Sequence, residues 1–331
     1  MKIGLDAMGG DHAPKVIVEG VIRFLDNKRQ DHEIYLVGKS EEINHFLKKS
    51  RHRKSIHIVP ASQVIEMHEA PVQALRSKKD SSMSKLLDLL KNKQIDVALC
   101  AGNTGALVAG SLLKLRCLPG IDRPALATIL PSMEGVTVLL DSGANVDCSG
   151  NLLFQFAVMG SVYAQFLLKI DNPRVALLNI TQGTILGSKE VLHAHELLSH
   201  SKLNYYGLVQ AHEMFGDEID VIITDGFIGN VALKAAESTI STYGEVFKSH
   251  VSEKFSRKLG ALLIKPAINN LKKRMDYSEI GGAPLLGING VVIKSHGGSN
   301  EIAIMNAISV AIQSVENQLN KNITEGVKRL S

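Results

Sequence analysis

Short apolar or β-branched runs alternate with longer segments of helical periodicity along almost the whole chain. The runs predict strands over Lys2–Leu5, Glu33–Val37, Ser55–Val59, Asp96–Cys100, Ala125–Leu130, Val136–Leu140, Arg174–Ile180, Leu203–Leu208, Asp220–Thr224 and Gly290–Ile293. Apolar positions recurring three and four residues apart predict helices near 14–27, 41–50, 81–92, 104–116, 150–168, 187–200, 228–250 and 299–320. Val136-Thr137-Val138-Leu139-Leu140 and Val221-Ile222-Ile223 lack the polar alternation of a half-solvated strand, so both faces are expected to be covered. The pattern is that of an α/β protein with a largely parallel sheet under helices. No repeat or Pro/Ser linker divides the chain, which reads as a single domain over 1–331. The rhythm breaks only over 251–289, where an amphipathic stretch (251–280) leads into the turn-rich Gly281-Gly282-Ala283-Pro284. Pro266 is expected to split that stretch into two short helices.

Ligands of open α/β sheets bind beyond the carboxyl ends of the strands. Five predicted strands end there in glycine and short polar residues: Asp6-Ala7-Met8-Gly9-Gly10-Asp11-His12, Ala101-Gly102-Asn103-Thr104-Gly105, Asp141-Ser142-Gly143-Ala144-Asn145, Asp225-Gly226-Phe227-Ile228-Gly229-Asn230 and Lys294-Ser295-His296-Gly297-Gly298. Glycine permits close backbone approach, and free amides at helix starts attract anions. Each segment taken singly is equally a turn with a helix cap. All five together point to a site for phosphate.

Composition narrows the field. The 331 residues are 45% hydrophobic and 21% charged, which excludes a disordered chain. A net charge of +4, 5% aromatic residues and no Trp argue against nucleic acid as a partner. Cys100, Cys117 and Cys148 form no paired framework, and no run is long enough to span a membrane, so a reducing cytoplasm is expected. Sharper motifs fail. No G-x-G-x-x-G is present, and Gly183-Thr184-Ile185-Leu186-Gly187-Ser188-Lys189 resembles a Walker A loop but is one residue short, with Lys and Ser reversed. The spacing His195 to His200 is one residue too long for a zinc helix, so neither a metal nor an organic cofactor is expected.

Further blocks carry a resemblance: Lys79-Asp80-Ser81-Ser82-Met83, Pro119-Gly120-Ile121-Asp122-Arg123-Pro124, Gln155-Phe156-Ala157-Val158-Met159-Gly160, Gly281-Gly282-Ala283-Pro284-Leu285-Leu286-Gly287 and Ile293-Lys294-Ser295-His296-Gly297. With the glycine loops, they make the chain similar over nearly its whole length to the bacterial phosphate acyltransferases of phospholipid synthesis. The resemblance implies conversion of a long-chain acyl-carrier-protein thioester and inorganic phosphate to acyl phosphate and free carrier, feeding a membrane glycerol-3-phosphate acyltransferase. It implies a three-layer α/β/α sandwich like phosphotransacetylases and isocitrate/isopropylmalate dehydrogenases, a homodimer, and a cytoplasmic protein peripherally associated with the membrane. One block departs: where that family places a lysine, this chain has Leu186, and nearby acidic residues are missing. Lys189 or Lys234 would then have to substitute.

Such a reaction needs positioned reactants and oxyanion donors more than a protein nucleophile. Gly9, Gly10, Asp11, Gly102, Asn103, Thr104, Gly105, Ser142, Asn145, Gly226, Gly229, Ser295 and Gly297 are the expected phosphate or acyl-carrier contacts, and Asn230 and Lys234 add donors or charge. His12 or His296 is expected to protonate the leaving sulfur or orient phosphate, and Asp225 to orient a donor or take the phosphate proton. Asp6 and Asp141 are expected to fix loops. Alternatives are a short-chain phosphotransacylase using coenzyme A and a weakened membrane- or carrier-binding homologue.

Residues 248–275 hold eight basic side chains against Glu253, a local charge of +7 that leaves the rest of the chain at −3. Lys254, Arg257, Lys258, Lys265, Lys272, Lys273 and Arg274, interleaved with Leu262 and Leu263, suit an anionic lipid surface or the acidic face of a carrier protein. A solvated helix whose apolar side packs in the core or a dimer contact is the plainer alternative.

Overall fold

The computed structural model describes residues 1–27, 32–48, 50–182, 187–275 and 281–330. Its strands are β1 (Lys2–Asp6), β2 (Glu33–Gly38), β3 (Ile56–Pro60), β4 (Val97–Cys100), β5 (Ala125–Leu126), β6 (Thr128–Pro131), β7 (Val136–Leu140), β8 (Val175–Leu178), β9 (Tyr205–Val209), β10 (Val221–Ile223), β11 (Ala283–Leu286) and β12 (Val291–Lys294). They form two sheets rather than one, ordered β3-β2-β1-β4-β12-β11-β5 and β6-β7-β10-β8-β9. Pairing is parallel except where β11 meets β12 and β5, and where β6 meets β7.

The expected strand Ala125–Leu130 is therefore two strands. Leu126 pairs with Leu285 in the first sheet and Thr128 with Leu139 in the second, so the chain changes sheets at the fully buried Ala127. Periodicity reports that a residue is buried, not which neighbour buries it. β11 was hidden by its own sequence, because Gly282 and Pro284 read as turn. An additional short helix covers Pro71–Ser77, and the expected helix 299–320 breaks into Glu301–Glu316 and Leu319–Leu330 around Gln318, whose φ is 50°.

Each sheet is covered on both faces. In the first, Ile3, Leu5 and Leu99 pack with the helices Lys15–Asn27 and Glu301–Glu316, while Ala98, Cys100 and Val292 face the helices Ser82–Lys91 and Thr104–Leu115. In the second, the helix Gly150–Leu167 sets Phe156 and Tyr163 against Leu140, Val221 and Ile223. Full burial of such a side chain stabilises the fold by about 2–3 kcal/mol. The other face receives Ala232 and Leu233 from the start of the helix Gly226–Ser252.

Pro266 does not divide the basic stretch. It lies inside one helix, Phe255–Met275, and the break falls earlier, at 253–254. Proline removes one backbone donor, and here the turns on either side continue without it. From Asn230 to Leu271 no residue is buried.

Candidate functional site

β1, β4 and β12 are neighbours, so their carboxyl-end loops are too. A Cβ on Gly9 would stand 2.7 Å from the Gly102 nitrogen, and one on Gly10, whose φ is +105°, 3.0 Å from the Gly297 carbonyl oxygen. The Asp11 amide donates to that same oxygen at 2.9 Å. β7 and β10 are neighbours in the second sheet, and there the Gly226 amide donates to the Asn145 carbonyl at 2.7 Å. A Cβ on Gly229 would run into the Asp141 carbonyl oxygen, and one on Gly143 would meet Asn230 at 3.6 Å. The five loops thus gather as three and two. Lys234, from the helix Gly226–Ser252, joins the groups: its Nζ lies 2.8 Å from His296 Nε2 and 2.7 Å from Glu237 Oε2.

Several expected ligands are committed to holding these loops. Asn103 Oδ1 accepts from the Ala106 amide and caps the helix Thr104–Leu115, while Nδ2 donates to the carbonyls of Glu66, Met67 and Glu69. Asn145 Nδ2 donates to the Pro124 carbonyl and Asp141 Oδ2. Ser142 Oγ lies 2.7 Å from Thr128 Oγ1, and Ser295 Oγ 2.8 Å from Ser299 Oγ. Asp225 Oδ1 caps its helix by accepting from the Ile228 amide. A short amide or hydroxyl that suits phosphate suits an adjacent backbone group equally well. Toward a ligand these segments offer backbone amides: Thr104 and Gly105 occupy the first helical turn, whose donors have no intrahelical acceptor.

Asp6 and Asp141 are buried. Asp6 accepts from the Met8 amide and the Cys100 thiol. Asp141 accepts from the amides of Leu126, Gly143, Ala144 and Asn145 as well as from Asn145 Nδ2. Burial raises both carboxyls above the ordinary aspartate value, and these donors oppose the rise.

At the junction, burial and then the Lys234 charge lower the pKa of His296, leaving its imidazole neutral near pH 7. The Gly298 amide stands 3.1 Å from Nδ1. Across a separation of 2.8 Å the Lys234 ammonium, a donor only, gives a hydrogen bond to Nε2. The ammonium has three donors, and Nε2 and Glu237 take two of them, which leaves the third for an anion's oxygen. His12 and Asp11 lie exposed on the neighbouring loop, and Asn230 is exposed one helical turn before Lys234.

Sequence reasoning passed over Lys294, Glu237 and the 66–69 loop. Lys294 ends β12 with its side chain buried, where a strand-end lysine reads as solvated. Leu186 and the Walker-like segment 183–186 lie outside the described residues, as do the side chains of Lys272, Lys273 and Arg274. Lys254, Arg257, Lys258, Leu262, Leu263 and Lys265 are exposed, Leu262 by 62% and Leu263 by 79%, which leaves their apolar area open to a partner. Among the described residues no group of His, Cys, Asp and Glu is placed to hold a metal ion, and no helix is long and apolar enough to cross a membrane.

A family model described as "Fatty acid synthesis protein" matches residues 1–322. The chain is 47% identical over 330 residues to the phosphate acyltransferase of Thermoanaerobacter pseudethanolicus, covering 100% of this chain and 98% of that protein. It is 43% identical over 334 residues to the phosphate acyltransferase of Dictyoglomus turgidum, covering 100% and 99%. Among solved structures it is similar to a phosphotransacetylase from Streptococcus pyogenes, with a TM-score of 0.62, 20% identity and coverage of 96% and 94%. A branched-chain phosphotransacylase from Enterococcus faecalis gives a TM-score of 0.58 at 13% identity, covering 95% and 99%. At such identities the structural likeness speaks for the fold, which is α/β and phosphotransacetylase-like.

Proposed function

Because the chain belongs to the fatty acid synthesis protein family, whose relatives named above are phosphate acyltransferases, it is a transferase acting on acyl groups, and we propose that its donor is a long-chain acyl-carrier-protein thioester. The observation that carries the phosphate half of the reading is the convergence of Lys234 Nζ and His296 Nε2 where the two loop groups meet. A phosphate oxygen takes a hydrogen bond from the Lys234 ammonium, and the amides of Thr104 and Gly105 face the remaining oxygens. The oxygen of a phosphate dianion attacks the thioester carbonyl, and the carbon–sulfur bond breaks as the oxygen–carbon bond forms. The proton carried by the phosphate finishes on sulfur, so HPO4 dianion and thioester become acyl phosphate dianion and thiol. Asp225 accepts that proton and His12 supplies one to the leaving sulfur, the two groups returning to their starting states by exchange with solvent, while Asn230 donates to the thioester oxygen as it gains charge. The neutral His296 orients phosphate.

The donor is a carrier protein because the exposed basic helix Phe255–Met275 offers an acidic protein a docking face that coenzyme A does not need. The same helix pair is read as the contact with the membrane surface, where a glycerol-3-phosphate acyltransferase consumes the product, and a homodimer completes the reading. In one assay, acyl phosphate forms faster from a long-chain acyl-carrier-protein than from the matching acyl-CoA, and only when phosphate is present. Equal rates from both donors would return the chain to the coenzyme A alternative, and no product from either would leave a binding protein. For the membrane contact, the chain floats with anionic liposomes and Leu262→Glu with Leu263→Glu abolishes flotation. Undiminished flotation of the double variant would remove this helix as the anchor.

A further inference from the structure

Lys294 is buried, yet no carboxylate lies within ion-pair distance of its ammonium among the described contacts. Its Nζ donates instead to the backbone carbonyls of Ala101, at 3.3 Å, and Ser295. The peptide that begins with the Ala101 carbonyl continues to the Gly102 amide, which donates to Cys100 Sγ at 3.3 Å. The Cys100 thiol donates to Asp6 Oδ2 at 3.2 Å, and Asp6 Oδ1 accepts the Met8 amide at 3.0 Å. A buried polar chain thus crosses three adjacent strand ends, β12, β4 and β1, directly beneath the three glycine loops of the first sheet.

A peptide unit is planar and trans, so its carbonyl and its N–H point in opposite directions. Through the Ser295 carbonyl, Lys294 thereby fixes the orientation of the whole Ser295–His296 peptide from below. It also places a positive charge below the loops without reaching the ligand itself. We infer that Lys294 is a positioning residue of the anion site, fixing the 101–105 and 295–298 loops and supplying the buried cation that an incoming phosphate dianion offsets. The identity of the anion rests on the function proposed above.

A charge in this place has a titration signature. Burial lowers the Lys294 pKa to about 8, with Asp11 and Asp6 raising it, Lys234 lowering it further and the neutral Cys100 thiol beside it. These groups come from β4, the loop after β1, β1 itself and the helix Gly226–Ser252, and His296 adjoins it in sequence. Cys100 is pushed well above the ordinary thiol value by burial and then by Asp6, and His296 is lowered, so neither changes charge between pH 7.5 and 9. Phosphate is largely dianionic across the same interval.

Calorimetric titration of the full chain with inorganic phosphate reads this directly. If only the cationic form of Lys294 supports binding, wild-type affinity falls about eightfold between pH 7.5 and pH 9, from a pKa of about 8. Lys294→Met binds at least about tenfold more weakly at pH 7.5 and shows no such slope, while its circular dichroism stays that of a folded chain and its melting midpoint falls, since the Ala101 and Ser295 carbonyls lose their donor. A wild-type affinity that is flat over this range overturns the assignment, and so does a folded Lys294→Met that keeps wild-type affinity. Should the variant not fold, the wild-type pH profile decides. No acyl donor enters the titration. A chain that binds phosphate in this manner but makes no acyl phosphate would refute the proposed reaction and leave Lys294 in place.

Discussion

Lys234→Met is expected to lower kcat/KM for acyl phosphate formation by at least about a hundredfold while leaving the melting midpoint within a few degrees of wild type. The two readouts separate because Lys234 belongs to the site and hardly to the core. Its side chain is 47% exposed and its partner Glu237 26%, and an ion pair open to solvent in this way contributes about 1 kcal/mol or less to stability. A charge-assisted hydrogen bond to the bound phosphate is worth about 3 kcal/mol when its loss leaves the anion unpaired, which is the hundredfold. The methionine stem keeps the apolar contacts of the lysine chain, so the comparison isolates the ammonium. A fall of less than threefold in kcat/KM for phosphate, measured by acyl phosphate release at subsaturating phosphate, would remove Lys234 from the chemistry and the junction with His296 from the proposal.

Asp141→Ala has the opposite profile: a loss of about 3–5 kcal/mol in unfolding free energy, read from the denaturant midpoint at constant slope. One carboxylate collects the amides of Leu126, Gly143, Ala144 and Asn145 together with Asn145 Nδ2. Leu126 lies on the edge of the first sheet, whereas the other donors form the loop after β7 in the second. Removing the carboxylate orphans five donors around a residue with no solvent exposure, and alanine leaves a void there as well. Asp141→Asn retains the volume but turns an NH2 toward donors, so it recovers only part of the loss. A midpoint within 1 kcal/mol of wild type would mean that water replaces the carboxylate, and the loop would then not depend on it.

The parts of the site that were legible in sequence are those where backbone and side chain ask for the same residue type. Gly9, Gly10, Gly226 and Gly229 had to be glycine because another strand-end loop passes within contact distance of each, and the strand–glycine–helix order announced this. Which loops meet was not legible. The hydrophobic pattern of β7 or β12 states that both faces are buried, but strand order depends on pairings across most of the chain, and Ala127 carries no mark of a change of sheet. Asn103 and Asn145 show a second limit: an amide chosen to tie carbonyls of a neighbouring loop is indistinguishable in sequence from one chosen to bind phosphate. Lys294 shows a third. Its burial follows from β12 standing between β4 and β11, a fact of topology that no local window contains.

Pro266 failed for a simpler reason. A rule about helix interiors presumes that a lost backbone bond must end the element, and the helix Phe255–Met275 passes through it.

The handover at Ala127 has a bearing on energetics. Because the chain leaves one sheet and enters the other there, Lys234 and His296 ride on halves whose apolar interiors are largely distinct. Any ligand gripped by both side chains acts as a clasp across that seam, and part of its affinity is the cost of setting the halves at one mutual angle. Substitutions far from the rim that alter this angle would weaken the clasp while leaving every contacting residue unchanged.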